Sequence, residues 1–183
     1  MSLLKQIAKD VYVSKNKIDV SYFIKLIEES SKAYPFTEVD RKPHLTMTLP
    51  LNFNVEDTSA CINLRYEVYK MIMPVVIEHM NKNNLEHMYN KRQVMLVSKL
   101  LPHKAMLPHV DNKNKDSNHF ICMVYINSNF DVGELHFNDL DLTYTPSDGD
   151  VVLFRASLLH EVFPVKNGIR YSVSYGITDD ENY

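Results

Sequence analysis

The sequence predicts an α+β fold, mainly β, with helices gathered in its first half and short strands in its second. Three observations carry that reading. Val20, Phe23, Ile24 and Ile27 recur at helical spacing behind Asp19, a residue type suited to capping a helix start. From about Gln93 onward the pattern changes to short apolar runs separated by polar turns such as Ser147-Asp148-Gly149-Asp150 and Lys166-Asn167-Gly168. And 183 residues, 45% of them hydrophobic and 23% charged, are enough for one domain with a sizeable core. Short strands so spaced predict a β-sandwich or barrel, with the helices covering one outer face.

The elements follow in order. A second helix is predicted from Asp57-Thr58-Ser59 through Ile62, Tyr66, Tyr69, Ile72, Val76 and Met80, with Pro74 expected to kink or split it. Its methionines Met71, Met73 and Met80 read as core filling. Between the helices, Tyr34–Glu56 is a long connection with three prolines, a length that implies function or hidden short strands. With Arg41, Lys42 and His44 it is a candidate lid. The predicted strands are Gln93–Leu100, Met106–Val110, His119–Asn127, Gly133–Phe137, Asp150–Phe154, His160–Val165 and Tyr171–Ile177. With no repeat and no linker, the chain reads as a single domain, 1–183: residues 1–90 mainly helical support and lid segment, 91–183 the β core.

Charge and cysteine content narrow the function class. A formal net charge of -3, from 20 basic and 23 acidic side chains, offers no basic stripe for nucleic acid or an anionic membrane. Two cysteines, Cys61 and Cys122, make no disulfide framework and point to a reducing, cytoplasmic setting. The opening MSLLKQIAKDVYVSK is not read as a secretory signal, and no run of ~18 apolar residues is present to span a membrane.

The chemistry is concentrated in Leu107-Pro108-His109-Val110-Asp111, where an imidazole and a carboxylate stand two apart. On a strand such residues point to the same side. A neutral nitrogen beside an anionic oxygen suits a divalent first-row metal, and two histidines with one carboxylate make the facial triad of non-heme Fe(II) oxygenases. His160, opening a later strand, is the natural second histidine. Such an iron keeps open positions, which a co-substrate such as 2-oxoglutarate fills with its keto-acid end. Its far carboxylate then needs a buried guanidinium fork, and Arg170 supplies one. Ser172 shares the face of Arg170 and adds a hydroxyl. His-x-Asp alone is a weak signal; with a distal His and a later Arg, all on strand-like segments, it is a strong one.

At this point the stretch from His109 to Tyr175 resembles the core of the 2-oxoglutarate/Fe(II) dioxygenases, and among them the prolyl 4-hydroxylases, including the oxygen-sensing branch. The resemblance rests on His109-Val110-Asp111-Asn112 with Asn114 and Asp116, on Tyr125-Ile126-Asn127, on Gly133-Glu134-Leu135-His136-Phe137 and on His160-Glu161-Val162-Phe163-Pro164. It implies a double-stranded β-helix (jelly-roll, cupin-like) core with the N-terminal helices packed on one sheet. It implies that His109, Asp111 and His160 bind Fe(II), that Arg170 pairs with the 2-oxoglutarate tail, and that the Tyr125 hydroxyl reaches the same tail. Two features depart from the family. Its Gly-Gly pair is reduced to Val132-Gly133, and a second pocket tyrosine has no counterpart among Ser98, Lys99 and Leu100.

The family chemistry consumes O2, decarboxylates 2-oxoglutarate to succinate and CO2, and hydroxylates an unactivated C–H bond, with ascorbate a candidate reductant. Because related halogenases replace the carboxylate with a small residue, Asp111 argues for hydroxylation. The leading substrate is a prolyl residue of a peptide or protein, with a small molecule as the other option, and the expected state is a monomer or weak dimer. Two rivals stay open: a non-catalytic cupin-like binding module, and a metal-dependent hydrolase using the same His-Asp-His set. Oxidative nucleic-acid demethylation is a minor variant disfavoured by the charge balance. The other histidines, His44, His79, His87, His103, His119 and His136, read as ordinary core or surface residues, and Cys122 as a small buried hydrophobe.

Overall fold

The computed structural model describes residues 2–39, 42–52, 55–85, 94–114 and 118–179; Arg41, His87, Gln93 and Asp116, singled out above, lie outside them. In chain order the elements are β1 (Lys5–Ala8), β2 (Val11–Ser14), α1 (Val20–Ser30), β3 (Thr37–Val39), β4 (Lys42–Pro50), α2 (Ser59–Asn83), β5 (Val94–Leu100), β6 (Met106–His109), β7 (His119–Tyr125), β8 (Asp131–Val132), β9 (Leu135–Phe137), β10 (Leu142–Tyr144), β11 (Val151–Arg155), β12 (His160–Val162), β13 (Val165–Asn167) and β14 (Arg170–Thr178). An eight-stranded sheet runs β1-β2-β11-β7-β14-β5-β4-β3, and a four-stranded sheet runs β10-β9-β12-β6. Strands β8 and β13 form a small ribbon.

Strand parity divides the core in two. One set of positions on the large sheet, including Met47, Val97, Cys122, Val124, Leu153 and Val173, packs beneath α1 and α2. The alternate set, including Val13, Leu100, Met123, Tyr125, Val152 and Phe154, meets Leu135, Phe137 and Val162 of the small sheet. Helices therefore cover one face of the large sheet and the small sheet covers the other. β7, buried at every position, is covered on both sides, which explains its unbroken apolar run.

The helices start where the caps place them. The Asp19 side chain accepts from the Tyr22 N–H, and that of Thr58 from the Cys61 N–H. Contrary to a split at Pro74, α2 runs as one helix from Ser59 to Asn83. Pro74 and Lys70, whose carbonyl loses the missing N–H, both lie on the exposed side, so the defect faces water.

The first half is less helical than expected, because it also contributes β1 to β4. Within Tyr34–Glu56 the hairpin β3–β4 pairs onward to β5, from Leu45 opposite Lys99 to Pro50 opposite Val94. The strand expected over His160–Val165 is interrupted: β12 ends at Val162 and β13 resumes at Val165, because Pro164 has no N–H for a ladder. Where the family has two glycines, Val132 and Gly133 both take positive φ, +64° and +79°. Glycine adopts that conformation freely; a β-branched valine is strained there.

Candidate metal centre and co-substrate pocket

Three elements bring His109, Asp111 and His160 together. His109 ends β6 and stands directly opposite His160 on β12, with ring centroids 4.4 Å apart. Asp111 lies just past the strand, not on it. Its backbone N–H and that of Asn112 both donate to the Ala156 carbonyl, at 2.9 and 3.0 Å, which turns the carboxylate back toward the histidines. The Asp111 oxygens then lie 3.9 Å from His109 Nε2 and 3.5 Å from His160 Nε2. One donor atom from each residue falls within a common 4.8 Å span.

The histidine tautomers follow from their second nitrogens. His109 Nδ1 contacts the Leu107 carbonyl at 2.7 Å, and His160 Nδ1 the Leu158 carbonyl at 2.8 Å. A carbonyl only accepts, so each Nδ1 carries the proton and each Nε2 presents a lone pair toward Asp111. Hydrogen-bonded rings of this kind are the usual support for histidine metal ligands. The exposure is graded: His160 is buried against the Phe154 and Phe137 rings, while His109 and Asp111 are half-buried. The set is open on one side, as a centre that must admit a reactant requires. Two neutral imidazoles and a carboxylate fit Fe(II) by donor chemistry.

The second cluster lies on the large sheet. Arg170, the first residue of β14, is fully buried. Its Nη1 donates to Ser172 Oγ at 3.1 Å, and its guanidinium carbon sits 4.8 Å from the centre of the Tyr125 ring. Nε and Nη2 have no hydrogen-bond partner among the described residues, and neither has the Tyr125 hydroxyl. Burial pushes the Tyr125 phenol up, against the opposing pull of the Arg170 charge, so the hydroxyl keeps its proton at neutral pH. Buried donors left over on one cationic side chain fit an anionic ligand, as the far end of 2-oxoglutarate would be.

Of the histidines read as ordinary, His136 stacks on Phe163 at 5.3 Å and meets Thr143 Oγ1 at 3.0 Å, away from the metal set. His119 is closer to the site than its sequence position suggests. Its Nδ1 contacts Asn112 Nδ2 at 3.2 Å, and its backbone carbonyl accepts from the N–H of Ala156, the residue whose carbonyl anchors the Asp111 turn. The usable signal was parity, since His119 and Tyr125 share a face of β7. Thr46 and Ser98, both buried, were likewise not singled out as site residues.

Comparison with known proteins agrees with this geometry. Residues 95–176 match the model of the 2OG-Fe(II) oxygenase superfamily, which supports a 2-oxoglutarate-dependent oxygenase using Fe(II) and O2. No curated protein matches the chain. Among solved structures, the viral collagen prolyl hydroxylase of Paramecium bursaria Chlorella virus-1, in its 2OG complex, is similar at 17% identity and a TM-score of 0.64, over 92% of this chain and 96% of that one. A Trichoplax adhaerens prolyl hydroxylase, in complex with a hypoxia inducible factor peptide fragment, aligns at 14% identity and a TM-score of 0.69, over 93% and 84%. A Pseudomonas putida prolyl-4-hydroxylase aligns at 15% and 0.61, over 92% and 91%. These likenesses establish the fold, the double-stranded β-helix core. The family match over residues 95–176 agrees with the resemblance to the 2-oxoglutarate/Fe(II) dioxygenases.

Proposed function

We propose that this chain, whose residues 95–176 match the 2OG-Fe(II) oxygenase superfamily, is an Fe(II)/2-oxoglutarate-dependent hydroxylase acting on a prolyl residue of a peptide or protein. The observation that carries it is the pairing of two sites in one interior: a His-Asp-His set with both Nε2 atoms aimed at one carboxylate, and a fully buried arginine with two donors to spare. In this reading His109, Asp111 and His160 hold Fe(II), which supplies O2 activation coupled to decarboxylation of the co-substrate. Arg170 takes the far carboxylate through Nε and Nη2, and Ser172, by occupying Nη1, fixes the plane of the fork. Tyr125 adds a hydroxyl donor and a ring face beneath the cation. The Leu107 and Leu158 carbonyls hold the imidazoles in the ligating tautomer. The half-buried side, at His109 and Asp111, is where the substrate C–H bond approaches.

The prolyl assignment takes its support from the structural relatives, one a viral collagen prolyl hydroxylase and one a prolyl hydroxylase in complex with a hypoxia inducible factor peptide fragment. A small-molecule substrate is the alternative. A hydrolase reading gives Arg170 no role. We take residues 1–183 to act as one unit, with Tyr34–Glu56 as a candidate lid, ascorbate as reductant, and a cytoplasmic monomer or weak dimer as the working state. Both cysteines are free and buried, in keeping with a reducing compartment, and no described helix is long and apolar enough to cross a membrane.

The test is anaerobic titration of the chain with Fe(II) and 2-oxoglutarate, followed by aerobic assay on proline-containing peptides. A visible charge-transfer band and peptide-stimulated succinate establish the reading. Metal binding without the band moves the binding-module and hydrolase readings ahead, and a band with no peptide turnover removes the prolyl assignment alone.

A further inference from the structure

We propose that Thr46 on β4 is a co-substrate-binding residue, its hydroxyl donating to the same far carboxylate that Arg170 holds; this rests on the co-substrate reading above. The argument begins with strand register. Thr46 stands opposite Ser98, Ser98 opposite Ser172, and Ser172 opposite Tyr125. Successive partners on adjacent strands share a face. β4, β5, β14 and β7 therefore carry a continuous row of four hydroxyl side chains. All are buried, with Thr46 at 6% exposure and Tyr125 at 0%. The row lies on the inward side with Leu100, while the next residues along, Met47, Val97, Val173 and Val124, pack under the helices.

Hydroxyls buried in such an interior are destabilising unless they are hydrogen-bonded. Here Thr46 Oγ1 has no partner among the described residues, and the same holds for Tyr125 OH and for Nε and Nη2 of Arg170. The unpartnered atoms thus sit at both ends of one row and on the arginine beside it. A purely structural requirement at position 46 would be met better by valine, which has the same shape and no hydroxyl.

The spacing fits a carboxylate. Adjacent strands lie ~4.8 Å apart, so the backbones of Thr46 and Ser172 are separated by roughly 10 Å, with Ser98 between them. Ser98, between them, is short and buried. A carboxylate over Ser98 lies between the Arg170–Ser172 pair on one side and Thr46 on the other.

The experiment compares wild type, Thr46→Val, Thr46→Ser and Arg170→Ala as full chains, anaerobically and saturated with Fe(II), by titrating 2-oxoglutarate and following the visible charge-transfer band. Thr46→Val should weaken 2-oxoglutarate binding about tenfold, in the range of one hydrogen bond to a charged group. Thr46→Ser should bind within about threefold of wild type, since it keeps the donor, and Fe(II) affinity without co-substrate should be the same in both. If Thr46→Val binds 2-oxoglutarate like wild type while Arg170→Ala does not, this inference is overturned and the co-substrate reading survives. Should Arg170→Ala also bind like wild type, both are overturned. Equal loss in Thr46→Ser and Thr46→Val overturns the hydrogen bond as well, because the effect then comes from packing.

Discussion

Replacing Arg170 with methionine should act in opposite directions on the unliganded and liganded protein. The guanidinium is fully buried, it donates to Ser172 Oγ, and no carboxylate pairs with it among the described residues. A buried charge without its counter-ion costs several kcal/mol. Methionine fills a similar volume without that cost. The lost cation–π contact over Tyr125 works the other way and is worth about 2 kcal/mol, and a thioether against the same ring recovers part of it. The desolvation term is the larger, so unliganded Arg170→Met should be as stable as wild type or more so, by up to about 2 kcal/mol. With 2-oxoglutarate the sign reverses. Two charge-assisted bonds, at Nε and Nη2, are worth about 1.5–3 kcal/mol each and are not additive, which places the loss near 3–5 kcal/mol. At 1.4 kcal/mol per decade that is between about two and four orders of magnitude in affinity. Arg170→Lys keeps the charge without the fork and should fall between. The assay is equilibrium denaturation with Fe(II), with and without saturating 2-oxoglutarate, where the ligand-induced stabilisation reports binding directly. A variant that is clearly less stable without ligand, yet still stabilised by 2-oxoglutarate to the wild-type extent, would refute the reasoning.

Other perturbations separate the roles within the fold. His109→Ala and Asp111→Ala remove half-buried groups and should abolish Fe(II) retention with little change in stability, about 0.5 kcal/mol; full metal occupancy by elemental analysis contradicts the ligand set. His160→Ala should lose the metal and also about 2–3 kcal/mol of apo-protein stability by denaturant titration, because its ring is buried against Phe154 and Phe137; stability equal to that of His109→Ala is the opposing result. Val132→Gly should stabilise by about 1 kcal/mol, since φ is +64° there; a lowered unfolding midpoint refutes the strain. His79, in the core between Tyr12 and Phe120, is held below its ordinary pKa of 6.5 by burial and then by the Arg155 charge, with Asp10 opposing and Lys82 adding least. The unfolded chain therefore takes up this proton first, so the contribution is complete above pH 6.5 and is lost as pH falls below it. His79→Gln should flatten the stability profile between about pH 7 and 5; an unchanged slope counts against it.

Which parts were legible in the sequence follows from how local their causes are. The grouping of His109, Asp111 and His160 was legible because strand spacing puts His109 near Asp111 and because His160 opens an apolar run. The caps at Asp19 and Thr58 were legible because one side chain and one turn determine them. Strands β1 to β4 were not, because β1, β2 and β3 are only three or four residues long and β4 begins and ends near prolines that read as loop. Asp111 was placed on a strand, whereas the Ala156 carbonyl, distant in sequence, is what orients it. The His119–Asn112 contact and the Thr46–Ser98 row depend on which strands become neighbours, and no single segment records that.

Strand parity also explains how one sheet serves stability and chemistry together. Along β14, Tyr171, Val173 and Tyr175 turn toward the helices, and Arg170 and Ser172 turn inward. The helix side is anchored by its own polar pair: burial pushes Glu28 up, but hydrogen bonds from Lys99 and Tyr171 outweigh it and keep the carboxylate below its ordinary range. Lys99, on β5, and Tyr171, on β14, are directly opposed, as are their inward-facing neighbours Ser98 and Ser172. A slip of one residue between these strands would lose both sets at once, turning Arg170 into the apolar layer and Tyr171 into the pocket. The apolar layer beneath the helices therefore holds the register on which the proposed co-substrate pocket depends. Substitutions at Val97 or Val173, which touch no proposed ligand, act on the site through that register.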